Sequence, residues 1–147
     1  MAPIRRAGPD DVEALLALGR EMVGEVHFGA WSERKVREMI EACLAGGVVF
    51  VSVAEDGSLT GTVGLIAEQP WWSEDWQLAD RWVFVRPEFR RTGHARALLR
   101  TARLFARDVG LPLLMAHVGQ RARGKMRLFQ REFGEPMGAI FFVPVGG

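Results

Sequence analysis

Two clusters in this 147-residue chain combine residue types that could do chemistry. The first is Arg90-Arg91-Thr92-Gly93-His94-Ala95-Arg96, a small-residue turn that leads straight into the apolar rhythm of Ala97, Leu98 and Leu99. The opening turn of a helix has N–H groups without an intrahelical acceptor and a partial positive charge, so it attracts anions without needing particular side chains. Gly93 and Ala95 would let an anion reach that backbone, and Arg90 and Arg91 would add charge suited to a phosphate. A tight connection carrying two exposed arginines reads the same way. In the second cluster Glu68, Glu74, Asp75 and Asp80 alternate with Trp71, Trp72, Trp76 and Trp82. Carboxylates attract an ammonium group, and a tryptophan face can hold a cation or a flat apolar body. The plainer alternative is solvated acids beside tryptophans that cap the edge of a core.

Other chemistries are excluded. There is no GxxxxGK[ST] and no GxGxxG, so neither a Walker-type nor a dinucleotide site is written here. The single cysteine, Cys43, allows no internal disulfide and no Cys-based zinc cage, and no metal site is expected. Its helical neighbours Ile40 and Leu44 mark it as a buried small hydrophobe rather than a nucleophile. The formal net charge of +1 does not suit a coat for nucleic acid or an anionic membrane. Arg96, Arg100, Arg103 and Arg107 follow roughly one helix face, which could serve a nucleic-acid or partner surface but reads more simply as a solvated helix back. No apolar run approaches the roughly 20 residues of a membrane span, and the N-terminus lacks a signal-peptide core, so a cytoplasmic location is expected. The chain has no tyrosine and no asparagine.

The elements that must position these clusters follow from pattern. Residues 1–147 are expected to form one domain, long enough to bury roughly two-thirds of the unfolded surface. A short strand at Pro3–Arg6 precedes a helix opened by Gly8-Pro9-Asp10-Asp11, with Val12, Leu15, Leu16, Met22, Val23 and Val26 inward. Ser32 is the N-cap of a second helix that ends at Gly46-Gly47. Residues 48–54 and about 60–67 form antiparallel strands joined by the turn Glu55-Asp56-Gly57-Ser58. Residues 79–85 are a strand, and a helix with Leu98, Ala102, Phe105 and Val109 inward runs from Gly93 to Gly110. Leu111–Val118 is then a parallel strand, because strand–helix–strand crossovers give parallel pairs. A helix over about 123–132 and a strand over Ala139–Val145 complete the chain.

The sequence Val83-Phe84-Val85-Arg86-Pro87-Glu88-Phe89 followed by Arg90-Arg91-Thr92-Gly93-His94-Ala95 resembles the acetyl-CoA-binding motif of the GNAT superfamily of N-acetyltransferases. That motif reads [QR]-x-x-G-x-[GA], and Arg90, Gly93 and Ala95 occupy its defined positions. The element order is similar over nearly the whole chain. Leu128–Gly134 resembles the family's last helix, with the usual Gly-Phe pair reversed as Phe133-Gly134. The ending, with the Trp-Trp loop, is reminiscent of family members encoded by phages and prophages. The resemblance implies an α/β (α+β) fold with a mixed, mostly antiparallel sheet, flanked by helices and containing a splayed parallel pair. It also implies acetyl-CoA as co-substrate. The pyrophosphate would lie on the turn Arg91 to Arg96, and the pantetheine arm would pair with Val83, Phe84 and Val85 as an extra strand would.

The implied reaction is direct attack of a primary amine on the thioester. It needs a base or water chain to deprotonate the amine, and an N–H near Val85 to polarise the carbonyl. Asp80 is the first candidate for base or amine anchor and Glu68 the second, with Trp71, Trp72, Glu74 and Trp76 contacting substrate. His117 is a further candidate acid or base, although a lone strand-end histidine is more often structural. His27 suggests no chemistry. The Tyr that donates a proton to the leaving thiolate in many relatives is replaced by Phe129, and an Asn often found after the fifth strand is absent. A thiol pKa of roughly 8.5 makes the thiolate a tolerable leaving group, so the loss should slow the reaction rather than forbid it. A catalytically weak or inactive acyl-CoA-binding protein is the alternative. The acceptor could be a small molecule or a protein, and the apolar terminal strand could support a homodimer.

Overall fold

The computed structural model describes residues 3–26, 28–116 and 123–146. Five strands form one sheet in chain order: β1 (Ile4–Arg6), β2 (Gly47–Val53), β3 (Leu59–Glu68), β4 (Gln77–Val85) and β5 (Leu113–Leu114). Helices α1 (Val12–Val26) and α2 (Glu33–Gly46) lie between β1 and β2, α3 (His94–Val109) links β4 to β5, and α4 (Arg123–Phe133) follows β5. β1 to β4 pair antiparallel and β4 pairs parallel with β5, which is the mixed, mostly antiparallel architecture expected from the pattern.

Local chemistry sets the boundaries. Ser32 caps α2 by accepting the Lys35 N–H at 3.4 Å. The β2–β3 hairpin turns on Gly57, at φ 86°, and Asp56 accepts both the N–H and the hydroxyl of Ser58. α3 stops at Gly110, whose φ of 76° few other residues adopt readily. The sheet is covered on both sides. Leu15, Leu16 and Leu18 of α1 and Ile40 and Cys43 of α2 pack on Val49, Val51 and Phe84. Leu98, Leu99 and Ala102 of α3 and Phe129 of α4 pack on Phe50, Val63, Leu65, Val83 and Val85. Each fully buried leucine there contributes about 1.5–3 kcal/mol over its exposed state.

Three expectations need correction. Residues 139–145 form no strand: no described residue pairs with them, and Ile140, Phe141, Val143 and Val145 stand exposed. Of the strand expected over 111–118, only Leu113–Leu114 is strand among the described residues, and 117–118 lie outside them; Pro144 has no N–H to give a pairing. Phe142 instead stacks on Phe28 at 4.9 Å. On α3 the buried stripe is Leu98, Leu99, Ala102 and Ala106, and Val109 lies outside it, exposed.

The feature that positions everything else is a bulge in β4. Gly64 pairs with Trp82 and Leu65 with Asp80, leaving Arg81 without a counterpart on β3. Trp82 crosses Gly64 so closely that a Cβ there would sit 2.3 Å from the indole ring, and its Nε1 donates to Thr62 Oγ1 at 3.1 Å. Gly64→Ala must push the indole off β3 and should destabilise the fold by about 1–3 kcal/mol. A lower urea midpoint with an unchanged slope is the expected result, and an unaltered midpoint would show that the bulge does not depend on this contact.

Candidate active site

β4 loses a neighbour partway along. Among the described residues its parallel pairing with β5 covers Leu78↔Leu113 and Ala79↔Leu114. At the next residue the Asp80 carboxylate, not the backbone, accepts the Ala116 N–H at 2.9 Å. From there to Val85 the same edge of β4 has no strand partner among the described residues, which leaves a slot beside it that Asp80 bounds at one end. The carbonyls of Val83 and Val85 turn toward it, since backbone direction alternates along a strand and both accept bonds from side chains there. Phe84 faces the other way, with its ring in the α1–α2 core. Val83 and Val85 thus present strand backbone whose carbonyls meet side chains rather than a strand among the described residues, an edge suited to a strand-like ligand carrying amides.

The open end of the slot meets the turn before α3. Gly93 is the N-cap, at φ 86°, and no side chain caps it. The Ala97 N–H is bonded back to the Gly93 carbonyl at 3.0 Å, so the N–H groups before it in the first turn have no intrahelical acceptor. Arg91, Thr92 and Arg96 are exposed around this turn. The turn is anchored from beneath by a buried polar chain: Ser52 Oγ lies 2.8 Å from Thr60 Oγ1, which lies 2.5 Å from His94 Nδ1. His94 therefore holds the helix start to the sheet. Arg90 turns away from the anion-binding N–H groups: its Nε donates to Val85 O at 2.8 Å and its Nη2 to Glu25 at 2.7 Å. Arg86 likewise pairs with Glu21 at 2.9 Å, so one face of α1 is tied to the end of β4.

At the inner end of the slot stands a residue that the motifs did not point to. Lys125, on α4 one turn before Phe129, reaches across to Val83 O at 3.4 Å. Burial lowers its pKa from the usual lysine range, while the nearby Asp80 carboxylate works to raise it. Burial likewise lifts Asp80 to about 6, partly offset by the Ala116 N–H, Lys125 and Arg81. An acid and an amine shifted toward neutrality at one place is the pattern of groups that exchange protons. A signal for Lys125 was present in the sequence: it is one of only two lysines in a chain of nineteen basic residues. Lysine is the basic side chain whose charge burial can tune.

The other candidates are spread apart. Glu68 accepts Arg81 Nη2 at 2.7 Å, which holds its carboxyl below the usual range and makes it a weaker base than Asp80. Trp71 and Trp72 meet edge to face at 5.5 Å on the loop between β3 and β4, past the closed end of the slot. Trp71, Trp72, Trp76 and Glu74 are all exposed, whereas Trp82 is part of the sheet packing. His117 and His27 lie outside the described residues. Cys43 is buried and its thiol is pushed up to about 11, so it remains protonated. Arg100 and Arg103 are not simply solvated: both pair with Glu132 of α4, across a groove of about 220 Å³ that Arg96 and Arg131 also line. A broader groove of about 590 Å³ borders the turn at Phe89, Thr92 and His94. Its other wall carries Glu55 and Asp56, which suit it poorly to phosphates.

A short parallel strand pair with an uncapped helix start beside it points to a class of protein, and the comparisons name it. The chain belongs to the acetyltransferase (GNAT) family, whose model matches residues 17–134. Acyl-CoA-dependent acetyl transfer is the chemistry of that family. No curated protein matches the sequence. Among solved structures, an integron cassette protein from the mobile metagenome of Cole Harbour Salt Marsh is similar at 22% identity and TM-score 0.75, over 96% of this chain and 88% of that one. AAC(6')-Iy, solved in complex with the bisubstrate analogue CoA-S-monomethyl-acetylneamine, is similar at 15% identity and TM-score 0.73, over 98% of this chain and 97% of that one. A ribosomal-protein-alanine N-acetyltransferase from Brucella melitensis biovar Abortus 2308 is similar at 13% and TM-score 0.73, over 97% of each chain. At these identities the likeness is one of fold. The residues present would suit CoA: the Val83–Val85 edge of β4, bonded only by side chains among the described residues, for the arm, and Gly93 with the exposed Arg91 and Arg96 for the phosphates.

The burial of Asp80 has a consequence for stability. A carboxyl lifted from 3.8 to about 6 binds its proton more tightly in the folded chain than in the unfolded one. Its contribution to stability is therefore complete below the unfolded pKa and is lost as pH rises through the folded one. Asp80→Asn cannot titrate but can still accept the Ala116 N–H. In urea denaturation series the wild type should lose stability relative to Asp80→Asn between about pH 4 and 6, with a constant difference above about pH 7. Parallel profiles would show that Asp80 ionises normally.

Proposed function

We propose that this protein is an acetyl-CoA-dependent N-acetyltransferase that moves an acetyl group to a primary amine by direct attack on the thioester. The observation that carries this reading is the slot beside β4, with an uncapped α3 N-terminus at its mouth and the raised Asp80 at its closed end. A strand-like arm entering from the turn would run along Val85 and Val83, which places its reactive end beside Asp80. When bound, CoA supplies the activated acyl group, and the chain supplies alignment and proton handling. Asp80, with a pKa near 6, would be mostly ionised at neutral pH and able to take the amine's proton. N–H groups on the slot side of β4 would polarise the carbonyl. Trp71, Trp72, Glu74 and Trp76, exposed past the closed end, would form the rim that receives a cationic amine. Similar folds include an aminoglycoside acetyltransferase and a ribosomal-protein-alanine N-acetyltransferase, and the acidic, aromatic rim favours a small cationic acceptor here. The exposed apolar tail at 139–145 is available for pairing with a second copy in a homodimer.

A second reading is an acyl-CoA-binding protein with little catalysis. Phe129 supports it, because that side chain is only 7% exposed and carries no proton to give. Release of CoA thiol across a panel of primary amines separates the two. Amine-dependent release by the wild type, falling by about 10²-fold or more in Asp80→Ala at similar acetyl-CoA KM, is expected. Tight CoA binding without turnover on any amine would leave only the binding reading.

A further inference from the structure

The carbonyl that Lys125 occupies is the one a strand-like arm would use. Lys125 Nζ lies 3.4 Å from Val83 O, at the inner end of the slot and close enough to Asp80 for each charge to shift the other. An arm entering from the turn must take over Val83 O. The displaced ammonium would then stand between Asp80 and the inner end of the arm, the end that would carry the sulfur. We propose that Lys125 is the proton donor to the departing CoA thiolate, doing from α4 what no tyrosine in this chain can do. This rests on the acetyltransferase reading of the slot.

The place suits the task. Lys125 stands four residues before Phe129 on the same helix face, its ammonium over the Phe129 ring at 5.9 Å, a cation–π contact that holds the cation at this end of the helix. The charged groups felt by Lys125 among the described residues are Asp80 on β4, Glu25 on α1 and Arg90 from the turn. Glu25 is already bonded to Arg90, which leaves Asp80 as its working partner. Burial holds its pKa below the ordinary lysine value, which makes the ammonium a stronger acid. The protons then balance. The amine nitrogen bonds to the acyl carbon, the C–S bond breaks with its electron pair on sulfur, and Lys125 gives that sulfur a proton so that CoA leaves as the thiol. The amine's surplus proton goes to the Asp80 carboxylate and passes from there to the neutral Lys125, restoring both groups. The arginines on the other slot carbonyl and on the turn could not serve, since guanidinium does not deprotonate in proteins.

The test needs only CoA. A cation beside the sulfur should depress the thiol pKa of bound CoA by about one to three units relative to free CoA, read from the pH dependence of its alkylation by iodoacetamide. Lys125→Met should bring the bound thiol back to or above the free value, with CoA affinity by calorimetry little changed. Lys125→Arg keeps the charge without a transferable proton. It should hold the thiol pKa down yet lose about 10²-fold in kcat with amines, at unchanged acetyl-CoA KM. An undepressed thiol in the wild-type complex, a thiol pKa indifferent to Lys125→Met, or an Lys125→Arg enzyme as fast as wild type would each overturn the proposal while leaving the CoA site standing. Failure of the wild type to bind CoA would overturn the slot reading itself, and this inference with it.

Discussion

A strand inside a sheet normally satisfies its backbone on both sides. Among the described residues β4 does so only as far as Ala79, and the surrounding side chains answer that deficit. The bulge at Arg81 follows directly, and the Asp80 side chain takes the Ala116 N–H that β4 backbone would otherwise meet. Buried carbonyls left without partners are costly, so the exposed edge is occupied by side chains. Arg90 takes Val85 O and Lys125 takes Val83 O. Both are charged donors, and both stand where a ligand backbone would bond. The slot is thus kept satisfied by groups that a ligand can displace.

The same deficit explains the electrostatics. Cations drawn to the slot carbonyls need anions nearby, and these come from other elements: Glu25 from α1 for Arg90, and Asp80 from β4 for Lys125. Burial pushes Asp80 and Lys125 in opposite directions, toward each other's range. The α3 N-terminus adds positive potential at the mouth, and the Ser52–Thr60–His94 chain fixes its position relative to the sheet. In the proposed reading, anion attraction at one end and proton exchange at the other lie along a single strand of backbone.

Much of this was legible in the sequence. Ser32, Gly57, Gly93 and Gly110 mark their boundaries because each answers a local geometric need that no distant contact can override. The parallel crossover followed from strand–helix–strand order. Asp80 stood out as an acid just before an apolar strand. Less legible were features that depend on pairing across the sheet. Arg81 as the bulged residue, and Glu68 as its partner rather than a free base, require the β3–β4 register. His94 could be read as a phosphate contact, yet it points inward because Thr60 lies beneath it. Ala139–Val145 has a strand's composition, but composition supplies no partner. Lys125 lay in plain view as a lone lysine among arginines, and only the fold brings it to the slot.

The central claim is that β4 from Asp80 to Val85 is an incomplete strand pair awaiting a strand-like ligand. Amide hydrogen exchange on the protein with and without CoA tests it directly. The account requires new protection at Val83 and Val85 and at the α3 start, Gly93 to Arg96, with α2 and the β2–β3 turn unchanged. Protection centred instead on the Glu55–Asp56 groove, or CoA binding that leaves Val83 and Val85 exchanging as before, would contradict it.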